Sequence, residues 1–521
     1  MITIPLFVLS GGTELCHQLC FASSALPPHT ARSRRVQLLS RAALRSVRSA
    51  LFPPIVLSGL VVLPCDVAQA HDPASNPTGH KETPVAVVPG ANQPSITSII
   101  PALGDIKKAL LDRGVNFQLS YIQDTFGNPI GGVKHGATYG SVLYMAVDAD
   151  LAKFAGLPGT TFRVNAYQIQ GRNLSTENIF NYSTISGFAA RPTTRLFELW
   201  VEQKLLADMA SIRIGQLTAD NQFFLSEFGN SLFINVTFGW SNLFIQDLPG
   251  GGGPNYPLAT PGIRLKVTPT DQITLLSAIF NGDPAGTGFS GMQEIKDPAG
   301  VNFRIKDPPF LINEAQYKYN QETDLQGLAG TIKFGGWYHF GPFDDNHFGI
   351  DGRSLADPLS NGRALVHIGD FGVYGVIDQM LWRLPGEGPK KGIGGFARIA
   401  ASPSDRNLMN FYAEAGINFM GIWKQRPDDT FGCAVAFSQL SPSISALDRD
   451  KAFFAGEALP VRNYELALEL TYQAQIGPSW IVQPDFQYIF RPGGGVIDPV
   501  NPAVGRIPNA AVFGLRTSIS F

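Results

Sequence analysis

Cysteine is scarce in this sequence, and most of it lies near the N-terminus. Three of the four cysteines fall in a predicted leader: Cys16, Cys20 and Cys65. Only Cys433 follows the predicted cleavage site after Ala70. A single cysteine excludes an internal disulfide and a cysteine metal site in the exported chain. An exported protein without disulfides needs another source of stability, and the closed hydrogen-bond ladder of a barrel is one.

Charge of either sign is also sparse. Charged residues make up 16% of the chain and the formal net charge is −2, so nothing indicates a nucleic-acid surface. Without the predicted leader, the chain has 34 basic and 40 acidic residues. The resulting net charge of −6 disfavours a dedicated phosphate channel, which would need a surplus of Lys or Arg. Glycine (55), proline (38) and phenylalanine (36) are plentiful, as is typical of β proteins with loop-rich ends.

Long apolar runs and catalytic motifs are missing. No run of about 20 apolar residues follows the leader, which excludes transmembrane helices there. Neither the His-x-x-x-His spacing of a metal site nor the Gly-x-Ser-x-Gly elbow of a hydrolase occurs. Polar loop positions account for the residues that could suggest catalysis, which are His135, His339, His347, His367, the segment 402–405, Asp428 and Asp429. We therefore predict no enzyme, metal or cofactor, with an outer-membrane hydrolase as the enzymatic alternative.

The first 114 residues are predicted to precede the main fold. Residues 1–70 have the order of a secretory signal: a basic region, an apolar region and small residues ending at Ala70. Residues 71–97 are rich in Pro, Asn and Gly, which predicts a flexible arm. Over residues 98–114, apolar side chains recur at helical spacing before Gly114, which predicts a short N-terminal helix.

From residue 115 onward, polar and apolar residues alternate in one stretch after another. The last nine residues, 513–521, place Phe, Leu, Thr and Ile on one face and Gly, Arg and Ser on the other. Successive strand side chains point to opposite sides, so this strand has one face in an apolar medium and one in water. A soluble sandwich alternates too, but a chain ending on a large aromatic residue fits the closing strand of a membrane barrel, with Phe521 in its aromatic girdle.

The alternation predicts an all-β fold, a transmembrane antiparallel β-barrel over residues 115–521. At ~25 residues per strand and connection, this segment holds about 16 strands. A barrel of that size is wide enough for an aqueous channel. The short turn at 476–479 is expected on the periplasmic side. The Gly/Pro-rich stretches 249–261 and 492–502 are expected to be outer loops or loops folded into the pore.

A series of short motifs runs through the exported chain. They are R-L-F-E-L-W-V-E-Q (195–203), I-R-I-G-Q (212–216), F-G-W (238–240), G-G-G-P-N-Y-P-L-A-T-P-G (251–262), F-N-G-D-P-A-G (280–286), G-G-W-Y-H (335–339), D-Q-M-L-W-R (378–383), S-P-S-D-R-N (402–407) and R-P-D-D (426–429). In number and order they resemble the carbohydrate-selective porin family, the OprB-like outer-membrane porins, from about Ile100 to the C-terminus. The predicted helix departs from this family, with L-G-D-I-K-K in place of a W-G-G-L-R type of sequence.

The resemblance implies a 16-stranded, homotrimeric porin in the outer membrane of a Gram-negative bacterium. Such a porin passes glucose and other small sugars by facilitated diffusion, without a cofactor. Its partners are small sugars, outer-membrane lipid and the barrel-assembly machinery, which Phe521 would engage as the terminal aromatic residue of an outer-membrane protein. A general porin or a porin for another solute is the alternative.

Sugar selectivity requires hydrogen-bond donors and acceptors beside an aromatic plate, in a site weak enough to release the sugar. The alternation places six such residues on water-facing positions, which are Arg163, Glu198, Trp200, Glu202, Arg213 and Arg264. We predict that Trp200 is a stacking platform and that the arginines and glutamates are donors and acceptors near the constriction.

Three alternatives remain open at this point. The arginines and glutamates could form a purely structural cross-strand ladder, and Trp200 could pack against the N-terminal helix instead. The stretch 249–261 could form the constriction or merely close the outer rim.

Overall fold

The structure, a computed structural model, describes residues 101–287, 293–321, 327–388 and 390–521. The predicted leader, the predicted arm and the first three residues of the predicted helix lie outside these ranges.

Sixteen strands make up the main body of the described chain. They are β1 Val115–Ile130, β2 Gly136–Asp150, β3 Thr160–Gly171, β4 Thr193–Leu205, β5 Ala210–Leu217, β6 Thr260–Val267, β7 Ile273–Asn281, β8 Pro309–Tyr319, β9 Gly330–Gly349, β10 Ala364–Arg383, β11 Gly392–Ala401, β12 Met409–Met420, β13 Thr430–Leu440, β14 Tyr464–Gly477, β15 Trp480–Phe490 and β16 Ala510–Ser520.

The helices are short and lie before or between strands. They are α1 Pro101–Asp112, α2 Leu151–Ala155, α3 Glu227–Leu232, α4 Asn242–Asp247, α5 Pro249–Gly252, α6 Pro442–Ala455 and α7 Pro492–Gly495. None of these helices combines the length and apolar character that a membrane-spanning helix requires.

Each strand pairs antiparallel with its neighbours in sequence, and β1 closes on β16. At the seam Tyr121 lies opposite Ile519, and the Phe521 amide donates to the Leu119 carbonyl at 2.9 Å. The sheet is therefore a closed barrel of sixteen strands, and the predicted fold class is confirmed. The predicted turn near 476–479 is two residues long between β14 and β15.

The alternation of side chains sorts them between the inside and the outside of the barrel. In β14, Glu465 and Glu469 are fully buried, whereas the intervening Leu466 and Leu468 are partly exposed. In β16, Arg516 is buried and its neighbour Leu515 is 49% exposed. Charged groups face the lumen and aliphatic groups face outward, as a membrane barrel requires.

The long β5–β6 connection, residues 218–259, folds into the lumen. Its Phe224, Trp240 and Phe244 are buried, and Trp240 stacks on Phe244 with ring centroids 4.2 Å apart. Phe244 also packs against Trp337 on β9, with centroids 4.6 Å apart. Burial of apolar side chains is the main favourable contribution to folding, so these aromatic contacts hold the connection against the barrel wall. The stretch 249–261 therefore belongs mainly to an inward-folded connection.

Charged wall residues anchor the same connection through its backbone. Glu469 accepts hydrogen bonds from the amides of Ile234 and Asn235, at 2.6 and 2.9 Å. Arg398 donates to the carbonyls of Phe224 and Phe238, at 2.7 and 2.6 Å. Hydrogen bonds to buried backbone groups are costly to lose, so the connection narrows the lumen as a fixed element.

Candidate functional site

The six predicted site residues lie together on the lumen side of four neighbouring strands. Arg163 is on β3, Glu198, Trp200 and Glu202 are on β4, Arg213 is on β5 and Arg264 is on β6. Cross-strand pairing sets Arg163 opposite Trp200, Glu202 opposite Arg213, and Arg213 opposite Arg264. All six are at most 9% exposed. We call this group the β3–β6 cluster.

Glu202 joins two arginines of the cluster. Arg213 donates to Glu202 from Nε at 2.8 Å and from Nη2 at 2.5 Å. Arg264 Nη2 lies 3.1 Å from the other carboxylate oxygen, and Arg264 Nη1 donates to Ser211 Oγ at 2.8 Å. The two guanidinium groups are therefore held at fixed positions and partly neutralised by one carboxylate.

Trp200 lies under Arg213. The Arg213 guanidinium carbon is 3.9 Å from the centroid of the indole, a cation–π contact. Gly215 on β5 faces Trp200 and has φ +150°, and a Cβ there would lie 2.2 Å from the Leu199 carbonyl oxygen. The glycine of the I-R-I-G-Q motif thus permits the close approach of the two strands beside the indole.

Arg163 and Glu198 are held by partners that the sequence reasoning missed. Asp148 on β2 lies 2.6 Å from Arg163 Nε and accepts from its Nη2 at 3.0 Å. Asn165 on β3 donates to Glu198 at 2.9 Å and accepts from the Glu198 amide at 2.8 Å. A β-bulge in the β3–β4 pairing lies between Val164 and Ala166, and beside it the consecutive residues Phe197 and Glu198 are both buried.

Asp148 and Asn165 could be found from the sequence only as polar residues on the water-facing side of β2 and β3. Asp148 lies opposite Arg163, but only the strand register shows this. The alternation of a single strand carries no information about register.

An aromatic group adjoins the cluster. Tyr256, from the β5–β6 connection, packs on Tyr167 with ring centroids 5.1 Å apart and on Phe197 with centroids 5.9 Å apart. The Tyr256 amide donates to Asp220 at 2.9 Å. Burial raises the pKa of the Asp220 carboxyl to about 6, and this hydrogen bond lowers it in part. Asp220 therefore changes its charge near neutral pH.

The arrangement offers alternating donors and acceptors along one wall. Such a surface can exchange hydrogen bonds with a molecule that carries many hydroxyls. Within the described ranges, no three His, Cys, Asp or Glu side chains are grouped so as to hold a metal ion.

Comparisons with known proteins agree on one family. A family model described as carbohydrate-selective porin, OprB family, matches residues 134–521. Porin B of Pseudomonas aeruginosa is 23% identical over 446 residues, which are 80% of this chain and 90% of the relative. The high-pH structure of Pseudomonas putida OprB superposes with a TM-score of 0.69 at 23% identity, covering 80% of this chain and 97% of the other.

Proposed function

This chain belongs to the carbohydrate-selective porin family OprB, and from that premise we propose that it passes glucose and other small sugars through the β3–β6 cluster. It is a porin of the Gram-negative outer membrane, a channel and not an enzyme. The observation that supports the proposed path is the fixed set of ion pairs beside Trp200, on the wall of a lumen narrowed by the β5–β6 connection.

The chemistry of the cluster suits a neutral polyol. Arg163 and Arg213 can donate to sugar hydroxyls, whereas Glu198 and Glu202 can accept from them. Arg163 and Arg213 are paired with Asp148 and Glu202, and Glu198 is hydrogen-bonded by Asn165, so a sugar can exchange hydrogen bonds with groups that are already held in place. The guanidinium carbons of Arg213 and Arg163 lie 3.9 and 5.8 Å from the centroid of the Trp200 indole. We propose that the part of the indole that these groups leave uncovered stacks on the apolar C–H face of the sugar, and that its Nε1–H, which has no hydrogen-bond partner among the described residues, donates to a hydroxyl.

Liposome swelling tests the proposed selectivity. Liposomes containing the purified protein are expected to swell faster in glucose than in amino acids of similar size, because amino acids carry charges that the paired cluster does not solvate. Equal rates would indicate a general porin, which is the second candidate. Empty liposomes provide the control for leakage.

We further propose a homotrimer, a mature N-terminus at His71, and recognition of Phe521 by the barrel-assembly machinery. Light scattering of the detergent-solubilised protein measures the oligomer, and the mass of a single chain would contradict the trimer.

Intact-mass measurement of the exported chain locates its N-terminus, and a mass that includes residues before His71 would contradict the cleavage after Ala70.

A further inference from the structure

The hairpin of β9 and β10 extends well beyond its neighbouring strands. β9 is paired with β8 only as far as His339, and the pairing of β10 with β11 begins only at Val373. Residues 340–349 of β9 and 364–372 of β10 therefore have no ladder partner on β8 or β11, and in this end of the hairpin β9 and β10 pair with each other. At about 3.3 Å per residue, this part of β9 continues for roughly 30 Å along the strand. We call it the β9–β10 arm.

The inner face of the arm carries polar side chains that are hydrogen-bonded to other parts of the protein. A hydrogen bond of 2.8 Å joins His367 to Asp345, and Asn407 of the β11–β12 connection donates to Asp370 at 2.7 Å. His347 is joined to Asp450 of α6 at 2.7 Å. These contacts fix the arm to α6 and to the β11–β12 connection at this end of the barrel.

The outer face of the arm is apolar and bare. Ile368 is 74% exposed, Phe371 51%, and Phe340 and Val366 48% each. This strip continues the outward face of the barrel below, where Phe334 on β9 is 65% exposed. It ends at Asp344, an exposed acid that lies opposite Val366. The arm therefore keeps the two-faced pattern of the barrel wall, polar inside and apolar outside, above the level at which its neighbours stop.

We propose that the strip formed by Phe340, Val366, Ile368 and Phe371 is a lipid-contact surface that packs against the acyl chains of the membrane leaflet at this end of the barrel. The strip is continuous with the lipid-facing wall of the barrel, and this supports lipid as the medium that covers it. Exposure of an apolar strip to water is unfavourable, and lipid already covers the wall below. Asp344 marks the height at which the acyl layer gives way to headgroups. The membrane boundary is then higher on the β9–β10 side than beside β8 and β11.

Spin-label accessibility tests this surface directly. Cys433 is first replaced by alanine, and single cysteines are introduced as Phe340→Cys and Ile368→Cys for nitroxide labelling. Phe334→Cys on the wall is the hydrocarbon reference. Leu359→Cys at the arm tip, where the native side chain is 75% exposed, is the water reference. Each protein is reconstituted in vesicles of phosphatidylethanolamine and lipopolysaccharide, and an unchanged open-channel conductance shows that it is folded.

The ratio of oxygen to nickel-chelate collisions reports the medium, because oxygen concentrates in hydrocarbon and the chelate stays in water. Labels at 340 and 368 are expected to give the high ratio of the label at 334. A low ratio, like that at 359, would place the strip in water and overturn the proposal. Exclusion of both reagents would show that protein covers the strip, for example a second copy of this chain, and would overturn it equally.

Discussion

At the residue scale, Trp200 is the residue on which the proposed sugar site most depends. Its indole has Arg213 on one face and lies on the wall that Glu198 and Glu202 share. Trp200→Ala removes both the ring and its N–H, so sugar block of ion conductance is expected to weaken by about tenfold, the effect of losing about 1.4 kcal/mol of contact.

Planar-bilayer recording with glucose titration measures this effect. Trp382→Ala serves as the matched control, because Trp382 on β10 is 42% exposed and is not in the β3–β6 cluster. Block that is unchanged in Trp200→Ala would remove Trp200 from the sugar site.

Asp220 predicts a pH dependence of ion selectivity. Its raised pKa of about 6 means that the carboxyl is largely neutral at pH 5 and negative at pH 7. Cation selectivity is therefore expected to rise between these pH values, as measured by the zero-current potential in a KCl gradient. Asp220→Asn should flatten this change, and Asp271→Asn, in an exposed turn, should not. Equal pH profiles for wild type and Asp220→Asn would refute the assignment.

At the element scale, the β5–β6 connection depends on a few anchors. In the wild type, the two carboxylate oxygens of Glu469 each accept a hydrogen bond from a backbone amide. Glu469→Gln keeps the size of the side chain but replaces one of these oxygens with an NH2 group, which is a donor and then faces a backbone N–H. Disturbing a buried hydrogen bond of this kind costs about 1–3 kcal/mol. We expect a lower melting temperature and noisier open-channel current, because the connection loosens within the lumen.

The matched control for this variant is Glu457→Gln, since Glu457 lies exposed after α6. Thermal unfolding followed by circular dichroism and single-channel recording supply the two readouts. If both match the wild type in Glu469→Gln, Glu469 is not one of the anchors on which the connection depends.

At the scale of the whole molecule, Phe521 should influence assembly without influencing transport. It meets β1 through its amide, far along the chain from every residue of the β3–β6 cluster. Deletion of Phe521 is expected to reduce the amount of assembled barrel, and the channels that do form should keep the wild-type conductance. The unheated band on a denaturing gel measures assembly, and Phe521→Tyr controls for loss of the aromatic ring. A change in single-channel conductance would contradict this view.

Much of the barrel could be predicted from the sequence, because a strand between lipid and water must alternate. That rule was enough to place Arg163, Trp200 and Arg213 on the lumen side and to estimate the strand count from length. Register depends on turn lengths and bulges, so the pairing of Asp148 with Arg163 could not be predicted. The inward course of the β5–β6 connection could not be predicted either, because its apolar residues suit an outer rim as well as a lumen.

The seam between β1 and β16 has a consequence for how the chain is made. Strand β1 finds one of its two neighbours only in β16, the last strand of the barrel along the chain. A polypeptide that stops before Ala510 lacks β16, so β1 and β15 each keep a row of unpaired backbone groups. Such edges invite aggregation, and unpaired groups are unfavourable in lipid. A premature stop codon just before Ala510 should therefore be as damaging as one near the middle of the barrel.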